Sequence, residues 1–212
     1  MAVLDLQEQE QLDTLKAWWK DNGTMVLGVV LVLTLALAGW RGWQYYQHKQ
    51  MNEAATLYQQ FVEQLASNDS KRVNDAAAAV MDKYASTPYA SRAALIAAQI
   101  NELGKEPLRA KTQLQWVIEH ASEDGLKSVA TLRMASLLLD EKNYAAALKA
   151  LDTKHAASFD ALYADMKGDV LSAEGKPADA KVAYKLAFDK LDEKSNYRNL
   201  VQMKLDAYGA EK

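Results

Sequence analysis

The chain contains no cysteine, which excludes thiolate catalysis, disulfides and cysteine-ligated metal. Proline occurs three times and glycine nine times in 212 residues. β-branched runs and turn dipeptides are scarce, so a hairpin-built sheet is not expected. There is no basic block: the formal net charge is −3, with five acids and three bases in residues 1–43 and 23 acids and 22 bases in the remainder. Without a cationic stripe to neutralise phosphates, nucleic-acid binding is not expected. His48, His120 and His155 share no ligand spacing, and there is no HExxH, phosphate-binding glycine loop or nucleophile elbow. The acidic pairs Glu123-Asp124 and Asp140-Glu141 fall in expected turns, where solvated charge is the default. No enzyme, cofactor or metal centre is expected. Trp116, one helical turn from His120, is read as core packing.

What the sequence does contain is helix formers, with Ala, Leu, Lys and Gln enriched. From Asn22 to Trp40 the chain carries no charge, and Asp21 and Arg41 bound this run. At 1.5 Å per residue it spans roughly 28 Å, close to the ~30 Å hydrocarbon core of a bilayer. Trp18 and Trp19 precede it; Trp40, Trp43, Tyr45 and Tyr46 follow it. Amphipathic rings at both ends suit the two headgroup layers, so Trp18, Trp19, Trp40 and Trp43 are candidate membrane-interface residues. Ala36-Leu37-Ala38 resembles a signal-peptidase site, but the segment before the apolar run is too long and too acidic for a signal peptide. An uncleaved anchor is the reading adopted. Its direction stays open, because Lys16 and Lys20 on one side balance Arg41 and Lys49 on the other. Ala38 and Gly42 form one small-xxx-small pair at the edge of the span, and a lipid-facing anchor is expected over a dimerisation face. The preceding tail carries Leu12, Leu15 and Trp19 at helical spacing, consistent either with a short amphipathic helix or with a partly disordered segment.

Beyond the anchor, the 3.6 period continues through Leu57, Tyr58, Phe61, Val62 and Leu65, so the membrane helix is expected to run on into the first helix of the domain. Ser67-Asn68-Asp69-Ser70 is a polar stop. Self-comparison then shows a repeat. Ala135, Ala147 and Leu151 recur 33 positions later as Gly168, Ala180 and Tyr184, with internal spacings of 12 and 4 kept. Ala98, Ala110 and Leu114 show the same spacings, offset by 37, with the extra residues expected in the loop around Ser122-Glu123-Asp124-Gly125. Gly104-Lys105-Glu106-Pro107 matches Gly175-Lys176-Pro177 as a helix end and start. Two antiparallel helices approach closely only where one side chain is Ala or Gly, and the bulky residue one turn later fills the gap. That is the tetratricopeptide pattern. A degenerate copy is expected over residues 55–89, and residues 196–208, with Leu200, Met203 and Leu205, should cap the stack. The fold class is all-α: a single N-terminal transmembrane helix followed by a tetratricopeptide-like helical-hairpin repeat domain with a C-terminal capping helix. In such stacks the first helix of each hairpin lines a concave face. The register puts Arg92, Gln99, Ser136, Asp165 and Asp169 there as candidate partner-binding residues.

In order along the chain, Glu10-Gln11-Leu12, Leu15-Lys16, Trp18-Trp19 and Asn22-Gly23 resemble the pre-membrane motif of the YfgM family. Gly39-Trp40-Arg41-Gly42-Trp43 is similar to that family's helix exit. Leu126-Lys127, Leu132-Arg133-Met134-Ala135 and Ala161 through Gly168 resemble its repeats, and Gln202-Met203-Lys204 its final helix. The resemblance covers nearly the whole chain. It implies an ancillary tetratricopeptide-repeat subunit of the bacterial Sec translocon in the cell inner membrane. Residues 1–21 would then be a cytoplasmic tail, 22–43 the transmembrane helix and 44–212 a periplasmic repeat domain. The implied partners are the SecYEG translocon, a PpiD-like periplasmic chaperone and unfolded secretory polypeptides, in a chaperone-like role. The alternative is a generic periplasmic repeat adaptor for envelope or cell-division complexes.

Overall fold

The computed structural model describes residues 6–67 and 69–208, and among them every regular element is helical. The first five tail residues, Asn68 of the polar stop and the last four residues lie outside this set. The chain divides at Gln50 and Met51 into two compact units.

The first unit is the larger part of α1 (Leu6–Leu65), a continuous helix of 60 residues. The described part of the tail, from Leu6 on, is the start of this same helix. Leu27, Leu33 and Leu37 stay 58–65% exposed. A core helix of a soluble fold would bury them, since each is worth about 1.5–3 kcal/mol when removed from water. No described part of this chain covers them. By length and composition α1 is apolar enough to cross a membrane.

The second unit begins with the last turns of α1 and continues through α2 (Ser70–Lys83), α3 (Pro88–Leu103), α4 (Pro107–His120), α5 (Asp124–Asp140), α6 (Tyr144–Leu151), α7 (Asp160–Ala173), α8 (Pro177–Lys190) and α9 (Asn196–Ala207), with a 3-10 turn at Ala157–Phe159. The hairpins are α3/α4, α5/α6 and α7/α8, and the repeat residues pack as their spacing requires. Ala98, Ala110 and Leu114 are fully buried, as are Ala135 and Ala147, with Leu151 4% exposed. Each apolar cluster joins one hairpin to the next. Leu114 and Val117 of α4 pack with Ala98 of α3 and Met134 of α5, and Leu151 of α6 packs with Ala135 of α5 and Tyr163 of α7.

The degenerate copy is a hairpin of the α1 end and α2, with side-chain sizes exchanged. Phe61, Val73 and Ala77 keep the 12-and-4 spacing, 37 positions before Ala98, Ala110 and Leu114, and are all buried. The bulky residue sits on the first helix and the small one on the second, so the gap is filled from the other side.

Three expectations are corrected. The left-handed residue of the first hairpin turn is Lys105 (φ 59°), not Gly104, which has φ −74°. Lys105, Lys142 (φ 58°) and Gly175 (φ 83°) are equivalent, each five residues before the repeat alanines Ala110, Ala147 and Ala180. Each turn closes with the same helix-end bond, Glu106 N to Asn101 O, Asn143 N to Leu138 O and Lys176 N to Leu171 O, at 2.8–2.9 Å. Second, the extra residues between the first two copies do not widen a loop. They lengthen α4 to 14 residues against 8 in α6, and α5 to 17 against 14 in α7. Third, Leu200 and Met203 of the capping helix face outward; Val201 is its buried apolar residue.

Candidate functional site

The five residues expected to share an open polar face divide into two groups. Arg92 and Gln99 are exposed on α3, Arg92 pairing with Glu123 at 3.2 Å, and Ser136 is half-buried on α5. Asp165 is only 3% exposed and Asp169 is half-buried, because α9 covers them. The expectation of one open groove is corrected there. Lys204 Nζ of α9 donates to both carboxylates of α7 at 2.7–3.0 Å. Tyr197 donates to Asp165 Oδ2 at 2.5 Å, and Tyr184 of α8 to Asp169 Oδ1 at 2.8 Å. Burial opposes the charge on Lys204, but the hydrogen bonds to the two aspartates outweigh it and hold its pKa above the ordinary lysine value. Burial, then the hydrogen-bonded aspartates, push the hydroxyls of Tyr184 and Tyr197 far above the usual tyrosine range. This cluster is cement: it fixes a helix with little apolar surface to the end of the stack.

Two further polar clusters are also architectural. Asn101, 1% exposed on α3, exchanges hydrogen bonds of 2.8 and 2.9 Å with Asn74 of α2 and donates to Gln113 Oε1 of α4 at 2.7 Å. His155 stacks on Tyr163 with centroids 3.8 Å apart, and its Nε2 lies 3.3 Å from Asp160 Oδ1. The hydrogen bond from Lys190 is the main cause that holds the Asp160 carboxyl below its ordinary value. Trp116 packs against two core clusters and stacks on His120. Among the described residues no three His, Asp or Glu side chains are grouped to hold a metal.

Open apolar grooves lie elsewhere, along the second helices of the hairpins. One, of about 460 Å³, is lined by Ile118, Met134, Leu138, Lys149 and Thr153; another, of about 410 Å³, by Leu171, Val182 and Leu186. None of the five candidate residues lines these grooves. The sequence did carry one signal for them. Val182 and Leu186 stand at i and i+4 on α8, yet remain 70% and 51% exposed.

An apolar anchor helix and a stack of Ala- and Gly-spaced hairpins closed by a polar-cemented cap define a membrane-anchored, tetratricopeptide-like repeat protein. The Tetratricopeptide repeat-like domain family matches residues 16–210. The chain belongs to the YfgM family within that class. A relative from Neisseria gonorrhoeae is 31% identical over 95% of this chain and 97% of its own length. One from Escherichia coli is 30% identical over 94% and 95%, and one from Haemophilus influenzae 24% over 95% and 97%. Each is named ancillary SecYEG translocon subunit. No solved structure matches the chain.

Proposed function

We propose that this chain is an inner-membrane scaffold subunit of the Sec translocon, with residues 1–21 cytoplasmic, 22–43 spanning the bilayer and 44–212 periplasmic. One observation carries the reading: relatives named ancillary SecYEG translocon subunit align with 94–95% of this chain, across both the apolar helix and the repeats. Tether and binding domain are thus shared as a unit. The tether matters physically because it turns a weak encounter near the membrane into an effectively intramolecular one. Trp19 and Trp40 stand about 31 Å apart along α1 at 1.5 Å per residue, so Trp18, Trp19, Trp40 and Trp43 sit at the two headgroup layers. In this role the domain meets the channel and a PpiD-like periplasmic chaperone, and helps unfolded secretory polypeptides on their way to folding. Arg92, Gln99 and Ser136 contribute a polar contact face for these partners, while Asp165 and Asp169 set its far end by holding α9.

Photo-crosslinking of the full chain in native membranes tests this. Channel subunits or the membrane-anchored chaperone should be recovered. Recovery of cell-wall or division machinery alone would replace the reading with the envelope-adaptor one. A reporter fused after residue 212 should be active in the periplasm, and cytoplasmic activity would overturn the orientation.

A further inference from the structure

We infer that His155 is a protonation-sensitive clasp on the connection between α6 and α7. Charged, the imidazole closes the junction between the second and third hairpins; neutral, it lets that junction loosen. The inference goes beyond the scaffold reading and does not depend on it.

The junction is where the stack has least helix to hold it. α6 has 8 residues where α4 and α8 have 14 each. Residues 152–159 join α6 to α7, whereas 121–123 suffice between α4 and α5, and 84–87 between α2 and α3. A connection this long is ordered only by the bonds its own residues make. Two ties are uncharged. Ala156 N donates to Ser128 Oγ of α5 at 3.2 Å, and Phe159 packs in the apolar cluster that joins α5, α6 and α7. His155 supplies the third tie and reaches both ends of the connection. Its ring stacks on Tyr163; Nδ1 lies 3.0 Å from the carbonyl oxygen of Thr153, just past α6, and Nε2 3.3 Å from Oδ1 of Asp160, which begins α7.

Both oxygens can only accept a hydrogen bond. A neutral imidazole carries one N–H, so it serves one end and sets a bare nitrogen against the oxygen at the other. Imidazolium donates at both. Its charge also strengthens the bond to the carboxylate and the stacking on the phenol face.

The surrounding groups hold their own charge states while the ring changes. The hydrogen bond from Lys190 of α8 is the main cause that holds the Asp160 carboxyl below its ordinary value, so Asp160 stays negative across the imidazole range. Burial raises the Tyr163 phenol above its ordinary value, so it stays neutral. The two lysines beside the ring are each matched by an aspartate: Lys190 by Asp160 and Lys167 of α7 by Asp152, both at 2.9 Å. Lys154, next in the chain, is exposed to solvent. α5 meets the connection through Gly125 and Ser128, and α6 through Ala150, none of which is charged. Histidine is the side chain whose ordinary titration falls between pH about 5 and 8. Both bonds are present at the acid end of that range and one is lost at the other, so the junction is tightest in acid. As it loosens, α7, α8 and α9 move as a capped end against the hairpins before them.

Amide hydrogen exchange of the full chain in detergent micelles, read by mass spectrometry, tests this. Protection is taken relative to the unstructured rate at each pH, which removes the chemical effect of hydroxide. In the wild type, residues 152–160 should be about fivefold less protected at pH about 8 than at pH about 5, the worth of one hydrogen bond. His155→Gln has one donor group and takes no charge, so it should show the lower protection at both pH values. Asp160→Asn removes the carboxylate at the far end and should shrink the difference as well. Circular dichroism checks that each variant is folded, and if one is not, the other decides. Equal protection of the wild type at both pH values, or a full fivefold fall in a folded variant, would overturn the inference. So would an equal fall in the turn at 104–107, which would mark a loosening of the whole domain rather than of this junction.

Discussion

Gly168 and Tyr184 offer the sharpest test of the packing argument, because one substitution should change sign with its partner. A Cβ at Gly168 would lie 2.5 Å from Tyr184 Cε1 and 2.6 Å from Cδ1, inside contact distance. The ring cannot swing aside freely. Its hydroxyl donates to Asp169 at 2.8 Å, and Tyr208 stacks on it at 5.8 Å. In the other two hairpins the equivalent pairs are Ala98 with Leu114 and Ala135 with Leu151, where the smaller partner leaves room for a methyl group. Helix propensity favours Ala over Gly by about 1 kcal/mol, while overpacking costs about 1–3 kcal/mol. Gly168→Ala should therefore destabilise the wild type by up to about 2 kcal/mol. In a Tyr184→Leu background the clash is gone, and the same change should stabilise by about 1 kcal/mol. The coupling between the sites is then about 1–3 kcal/mol. Thermal unfolding of the full chain in detergent, followed by circular dichroism, resolves this, since 1 kcal/mol shifts Tm by about 2–4 °C at this domain size. If Gly168→Ala stabilises both backgrounds equally, the close approach of α7 and α8 is not what selects glycine.

Lys204→Met should cost about 2–4 kcal/mol in urea unfolding at pH 7, because it leaves the buried Asp165 without its cation; a loss under about 0.5 kcal/mol would show that α9 is held otherwise. The pKa values of Lys204, Tyr184 and Tyr197 are all raised by folding, so the unfolded chain releases these protons first. The stability they contribute is complete below pH about 10 and falls as pH rises beyond it, and Lys204→Met should lose less on that climb. Burial raises the pKa of Glu102, Arg133 opposes the shift and Asp140 adds to it, and one of its carboxylate oxygens is buried without a partner. Glu102→Gln should therefore raise Tm at pH 7, and the gain should vanish below pH about 4, where the wild-type carboxyl is neutral in both states; a gain independent of pH would point to a different cause.

What was legible in the sequence is what depends on one residue at a time or on spacing along one helix. The anchor follows from the uncharged run between Asp21 and Arg41, because transfer to lipid is nearly additive over side chains. The three hairpins follow from Ala or Gly twelve positions before an Ala and sixteen before a bulky residue, because helix periodicity turns that spacing into a face. What depended on pairs of elements was decided only by the tertiary structure. Phe61 and Ala77 exchange the roles of Ala98 and Leu114, since packing conserves the summed volume and not either residue. Asp165 and Asp169 look like groove residues along α7 until Lys204, some 35 to 39 positions later, closes over them. Burial is a property of what arrives on a surface from elsewhere in the chain, and a local pattern does not contain it.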